Sequence, residues 1–313
     1  MEVFGSKNGK LCRKILLEKS FRFVTETDKD IYMDFEVVLA IIFASLAAIA
    51  VIWVCLWLFL ITPRSCRRKK MEKFKAVKYA HRGLFNSERA ENSLSAFKAA
   101  VDAGFGIELD VRLTSDGKLV VFHDPTLTRV CGVEGKVREH TAEELAGLSL
   151  SGTGEGVPTL AEVLALVDGA VPLLIEMKQD PGESGVGEAL AEEIKGYNGP
   201  YIVESFNPMA LRALKKCRPD VLLGMLSMEY SKDERYKGKM LYTLLEKLMM
   251  NFLARPDFIS YDHRGYKVPA LRFVRRVFGT PLLAWTIKSF SEEQDAVCHG
   301  FDTVIFEGYI PEK

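Results

Sequence analysis

Val37–Thr62 is a run of 26 residues without one charged side chain. At ~1.5 Å per residue, a helix of that length exceeds the ~30 Å hydrocarbon core of a bilayer. Trp53, Trp57 and Phe59 fall towards its C-terminal end, where aromatic rings favour the membrane interface. A cleaved signal peptide fits poorly. The apolar stretch is longer than the usual ~7–15 residues, and no small-residue cleavage site precedes the basic segment. One retained transmembrane helix over 37–62 is therefore expected, after a polar segment, 1–36. Met33, just before the run, is an alternative start.

Charge orients that helix. Residues 64–80 carry eight Lys or Arg, whereas residues 18–34 carry three, diluted by five Asp or Glu. The positive-inside rule then predicts a single-pass cell-membrane protein with its C-terminal part in the cytoplasm. The basic stem, 63–77, should meet anionic lipid headgroups. Across the chain 42 basic residues balance 42 acidic ones, which argues against nucleic acid as a partner. Residues 79–313 alone hold 27 basic and 34 acidic residues, so the body beyond the stem is mildly acidic. The six cysteines form no CxxC pair, which argues against a disulfide scaffold or a structural zinc cluster as the basis of the fold.

The body, 78–313, alternates short apolar runs with helical patterns. Strands are expected at Ala76–Ala80, Gly106–Leu113, Leu119–Phe122, Pro172–Met177, Tyr201–Ser205, Val221–Leu226, Phe258–Tyr261, Leu282–Trp285 and Thr303–Phe306. Helical periodicity covers Ser93–Ala103, Thr159–Val167, Gly187–Lys195, Pro208–Cys217 and Val268–Phe278. This alternation predicts a parallel sheet, and the length suits a (β/α)8 TIM barrel. A doubly wound sheet is the alternative, but no glycine-rich phosphate loop follows the first strand. Between Asp110 and His123 the chain is too short for a parallel crossover, and Ser115–Lys118 (SDGK) supplies a turn. A hairpin pairing 114 with 119 would set Asp110 opposite His123.

The ends of these strands carry unusual residues for a sheet core. They are His81 and Arg82; Glu108 and Asp110; His123 and Asp124; Glu176 and Lys178; and Glu204. Glu108 and Asp110 are two apart and share one face, as do Glu176 and Lys178. Several carboxylates at one barrel mouth suit a hard divalent cation such as Mg²⁺ or Ca²⁺. Such a clamp beside Arg and Lys suits a phosphate-bearing substrate, and two histidines suit proton transfer near neutral pH.

HRG at 81–83, ENS at 91–93, ELDV at 108–111, VVFHD at 120–124, EMK at 176–178, SF at 205–206 and AWT at 284–286 occur in that order. This set resembles the glycerophosphodiester phosphodiesterase family over about residues 78–310. The resemblance implies a TIM barrel and metal-dependent hydrolysis of a glycerophosphodiester to glycerol 3-phosphate and an alcohol. It implies His81 and His123 as the acid–base pair. Glu108, Asp110 and Glu176 become ligands to a divalent metal (Mg²⁺, Ca²⁺ or Mn²⁺). Arg82 and Lys178 become phosphate contacts, and Trp285 an aromatic wall beside the glycerol. Glu91 would support the metal site and Asn92 the His81 loop. The family pattern is broken at Ala90 (usually Pro), Ser93 (Thr), Lys288 (Asn) and Phe306–Glu307 (Thr-Asp).

Residues 227–256 exceed what one helical connection needs, and 240–254 (MLYTLLEKLMMNFLA) is strongly apolar. A barrel helix is one reading of that segment. A membrane-facing lid or acyl-chain groove is the other, and it would make lysophospholipids substrates. The scaffold therefore also admits a lysophospholipase-D-like or phospholipase-C-like enzyme. A catalytically silent, membrane-bound headgroup sensor is the reading from a different class.

Overall fold

The computed structural model describes residues 35–312. The expected segment 1–36, with Met33 and the charges of 18–34, lies almost wholly outside the described residues. The chain divides into two compact units, Met1–Leu58 and Phe59–Lys313. The helix Phe35–Ile61 is long and apolar enough to cross a membrane, with 27 residues and a mean hydropathy of 2.9 over its most apolar window. Its apolar side chains point outward, Phe43 being 67% exposed. It stops one residue before Thr62, which precedes Pro63 and is thereby disfavoured in α-helix.

The second unit is a closed barrel. Its strands are β1 (Tyr79–His81), β2 (Gly106–Leu113), β3 (Leu119–Val121), β4 (Leu173–Met177), β5 (Tyr201–Ser205), β6 (Leu223–Ser227), β7 (Phe258–Asp262), β8 (Leu282–Ile287) and β9 (Thr303–Phe306). Spatial order runs β1-β9-β8-β7-β6-β5-β4-β2, and β1 pairs β2 to close the ring. These eight strands are parallel, as a TIM barrel requires. Helices follow the strands, and polar caps mark the starts of several. Ser93 accepts from the Ala96 amide ahead of Leu94–Ala103, so the serine at this family position keeps the cap. Thr159 and Glu162 form a capping box ahead of Leu160–Val167.

β3 is the ninth strand, antiparallel to the end of β2. The hairpin is as expected, but its register is one residue off. Val111 faces Val121, and Phe122 donates its N–H to the Asp110 carbonyl, so Asp110 lies opposite Phe122 rather than His123. The turn is the cause. Thr114 and Lys118 close it, with the Thr114 N–H on the Lys118 carbonyl and the Thr114 hydroxyl receiving the Lys118 N–H. That leaves a three-residue loop ending at Gly117, whose φ of 76° is left-handed. β1 also differs, beginning at Tyr79 rather than Ala76. The basic segment before it forms the helix Arg68–Lys75, which buries Met71 and Phe74.

That helix caps an apolar floor. Met71 and Phe74 pack with Tyr79, Leu174, Ile202, Leu222, Phe258, Leu283 and Ile305. Gly224 stays without a side chain because the Phe258 ring lies 2.2 Å from where its Cβ would be. Two residues further along each strand the same inward face continues. There it presents His81, Glu176, Glu204, Ser260, Trp285 and Glu307, with Glu108 and Asp110 on β2. Strand parity thus sets a polar mouth directly above a greasy floor.

The segment 240–254 is two short helices, Met240–Glu246 and Asn251–Ala254, and not one. Leu248, at φ 57°, breaks it. Leu245, Leu248 and Ala254 are buried, while Met240 is 78% exposed. Asn251 and Arg255 then reach back to the chain entering the barrel: Asn251 donates to the Ile61 carbonyl, and Arg255 to those of Phe59 and Thr62.

Candidate active site

Strand register assembles the acids. His81 pairs with Glu108, Asp110 with Glu176, and Glu176 with Glu204. Glu108, Asp110 and Glu176 are all buried, and one oxygen from each lies within 4.8 Å of the others. Asp110 Oδ1 and Glu176 Oε1 accept no well-aligned hydrogen bond. Lys178 Nζ stands 3.1 Å and 2.7 Å from those same atoms. An all-oxygen, anionic donor set with buried, under-coordinated oxygens fits a hard divalent ion.

The carboxyls do not titrate alike. Burial, with Asp110 and Glu176 nearby, holds Glu108 well above the usual carboxylate range. Burial also lifts Glu176, to about 7, although Lys178 opposes the shift. Asp110 is buried too, yet Lys178, His123 and Arg82 hold it well below its ordinary value. Asp110 is therefore the fixed anion of the set. Two further bonds anchor it: Asn92 Nδ2 donates to Asp110 Oδ2 at 2.9 Å, and Arg82 Nε lies 3.3 Å from the same oxygen.

The loop after β1 is shaped for these contacts. Arg82 and Asn92 both adopt left-handed backbone (φ 57° and 58°), and the Asn92 N–H bonds the Arg82 carbonyl. Gly83 is also left-handed, and a Cβ there would sit 2.8 Å from the Ala96 backbone. The Arg82 N–H donates to Glu108 Oε2 at 3.0 Å. Asn92 thus serves the His81 loop through its backbone and the acids through its side chain. Glu91 is not one of the clustered carboxylates. It binds Arg82 at 2.8 Å, and Arg82 in turn meets Asp110.

Both histidines have Nδ1 on a carboxylate. His81 Nδ1 is 2.6 Å from Glu307 Oε2, and His123 Nδ1 is 2.6 Å from Asp124 Oδ1. His81 Nε2 is 4.0 Å from Glu108 Oε2. Burial lowers both imidazoles, His123 to about 4. Trp285 stands at the mouth edge-on to Phe206, with ring centroids 5.5 Å apart.

Sequence reasoning missed Arg129. Its guanidinium clamps Asp124 (2.6 and 3.0 Å) and Glu91 (2.9 and 2.7 Å) together. It thereby links the His123 loop to the Arg82 loop. It sits on the short helix Thr128–Cys131 with no motif around it, so only its spacing from Asp124 hinted at the contact. Glu307 registered only as a family departure, although it is the partner of His81.

Glu204 is buried one strand further on, its carboxyl hydrogen-bonded to Ser260. Burial raises its pKa to about 8 against that bond. Between about pH 4.5 and 8 the unfolded chain then binds fewer protons than the folded one, so stability falls as pH rises. We expect metal-free Glu204→Gln protein to match the parent's Tm near about pH 5 and exceed it near about pH 8. Equal melting at both pH values would contradict that account.

A profile of the Glycerophosphoryl diester phosphodiesterase family matches residues 81–305, from the first histidine to the last strand. The chain belongs to this family. A glycerophosphodiester phosphodiesterase of Caldanaerobacter subterraneus is 40% identical over 164 residues, covering 49% of this chain and 67% of that protein. Human glycerophosphodiester phosphodiesterase 1 is 26% identical over 269 residues, covering 73% of this chain and 77% of that protein. Among solved structures, an Oleispira antarctica phosphodiesterase in complex with sn-glycerol-3-phosphate aligns with a TM-score of 0.61 and 26% identity. It matches over 74% of this chain and 92% of its own. Family membership agrees with the barrel and with the ordered motifs that suggested it.

Proposed function

We propose that the protein hydrolyses glycerophosphodiesters to glycerol 3-phosphate and an alcohol, using a divalent metal and two histidines. One observation carries this reading: the buried Glu108–Asp110–Glu176 cluster lies within the family's matched region, beside two carboxylate-held histidines. The product bound to the Oleispira relative supports the glycerol phosphate half of the substrate.

A divalent ion on the three carboxylates would offset charge that builds on the phosphoryl oxygens. The rest falls to the chain. Arg82 and Lys178 are partly buried cations turned towards the same acids, and they are suited to hold phosphate oxygens. The Nε2 atoms of His81 and His123 are left for proton transfer because both Nδ1 atoms are taken. One imidazole, neutral, takes the nucleophile's proton on Nε2. The other enters the step protonated on Nε2, a state the anionic phosphodiester beside it favours, and gives that proton to the leaving alkoxide. Trp285 walls the glycerol side. Mg²⁺, Ca²⁺ and Mn²⁺ all suit these ligands.

The span Phe35–Ile61 and the cations of 64–80 support a membrane-anchored enzyme with its barrel in the cytoplasm. A reporter fused at Lys313 should be active inside the cell, and activity only outside would reverse the orientation. Substrate choice is tested with full-length protein in detergent micelles. Glycerophosphocholine, glycerophosphoethanolamine, glycerophosphoglycerol and lysophosphatidylcholine are supplied in turn. Glycerol 3-phosphate from the first three is the expected product. Choline from lysophosphatidylcholine alone would assign the lysophospholipase-D-like reaction, and the exposed Met240 and Leu241 make that the second reading. No turnover of any diester by folded, metal-loaded protein would favour the silent headgroup sensor.

Arg129 should matter although it lies outside the acid cluster. Arg129→Lys keeps the charge but cannot bridge Asp124 and Glu91 in two bidentate pairs. We expect kcat to fall roughly 10–100-fold, the range for losing outer-shell support of a metal site. A full-rate Arg129→Lys enzyme would show that the two loops need no clamp.

A further inference from the structure

The two histidines are held differently. The carboxylate on His123 comes from its chain neighbour, Asp124. The one on His81 comes from 226 residues away, where the first strand lies beside the last. There β1 pairs β9, with Ala80 beside Phe306, so His81 and Glu307 are the next residues beyond the pairing. The Glu307 backbone is fixed by its N–H on the Ile287 carbonyl, at 2.9 Å. Its two oxygens are divided: Oε2 faces His81 Nδ1 at 2.6 Å, and Oε1 faces Lys288 Nζ at 3.2 Å. Lys288 and Glu307 are both departures from the family pattern, and here they face each other.

We infer that Glu307 is a positioning residue for His81, accepting its Nδ1–H so that Nε2 is the unprotonated nitrogen turned towards the acid cluster. Three points of geometry support this. The 2.6 Å contact is the length of a charge-assisted bond. The nitrogen left over, Nε2, is the one facing Glu108, at 4.0 Å. Glu307 is about three-quarters buried, its side chain being 24% exposed, so water competes little for the bond. Lys288 is largely exposed at 63%. Its part is to occupy the second oxygen of Glu307, which keeps the first aimed at the imidazole. The lysine and the glutamate therefore act as one unit. Any substitution at 288 acts on His81 through Glu307.

The effect on turnover rests on the proposed phosphodiesterase reaction, but the tautomer does not. The test therefore uses both readouts on the full-length protein. Nitrogen-15 NMR of metal-free, histidine-labelled protein should show His81 as the Nδ1–H tautomer, its signals assigned by their loss in His81→Gln. In Glu307→Ala those signals should move towards the Nε2–H form, and kcat should fall roughly 10–100-fold with KM within about twofold. Glu307→Asp should recover part of both. If Glu307→Ala does not fold, the isosteric Glu307→Gln carries the same measurements. An unchanged tautomer in the variant, or unchanged kcat in an active enzyme, would overturn the inference. If the parent hydrolyses no diester but its tautomer shifts as expected, the positioning role stands and the reaction assignment fails.

Discussion

His81→Ala and His123→Ala should each lower kcat by roughly 10²–10⁴-fold, the range for losing a positioned acid or base. Burial lowers both imidazoles, and both Nδ1 atoms are held by carboxylates. Neither residue belongs to the floor that supports the barrel, so melting temperature and metal affinity should change little. Combining the two substitutions should cost far less than the product of the single losses, because groups acting in one step are not additive. A loss below about fivefold for either residue would remove it from proton transfer. Stopped-assay kinetics on both variants, with a thermal melt of each, decides the matter.

Removing the divalent ion should abolish turnover and soften the fold together. Three buried carboxyls within 4.8 Å repel one another, and in the metal-free protein Lys178 and Arg82 are their compensating charges. A cation binding only the folded form stabilises it by about 2.7 kcal/mol at a hundredfold excess over Kd. For a domain of this size that is a Tm rise of roughly 5–11 °C. Asp110→Asn should lose both responses. Asp110 is the carboxylate that its neighbours hold ionised, and it also receives Asn92 and Arg82. Activity in that variant should fall to background, and added Mg²⁺, Ca²⁺ or Mn²⁺ should no longer raise its Tm. A parent enzyme working at full rate in excess chelator would contradict the cation site.

The barrel was legible because its information is local and periodic. Apolar runs gave the strands, and a period of two set Glu108 with Asp110 on one face, and Glu176 with Lys178 on one face, before any register was known. The hairpin register was not legible to one residue. Whether SDGK forms a four-residue loop or Thr114 closes a three-residue one depends on a side-chain bond, from the Lys118 N–H to the Thr114 hydroxyl. Arg129 and Glu307 were illegible as partners for a different reason. Arg129 reaches Glu91 over 38 positions, and Glu307 reaches His81 over 226, so chain closure, not pattern, brings them together. The apolar segment 240–254 read as continuous because hydropathy does not register the left-handed turn at Leu248. Family motifs found the acids and histidines. They could not say that two departures from the pattern, at 288 and 307, would meet each other.

The most direct test is glycerol 3-phosphate release from glycerophosphocholine by the purified full-length protein. It is run with Mg²⁺, with chelator, and with His81→Ala. The account predicts steady release with the metal, none in chelator, recovery when metal is restored, and near-background release from the variant. No release from a folded protein whose Tm rises with added metal would contradict it.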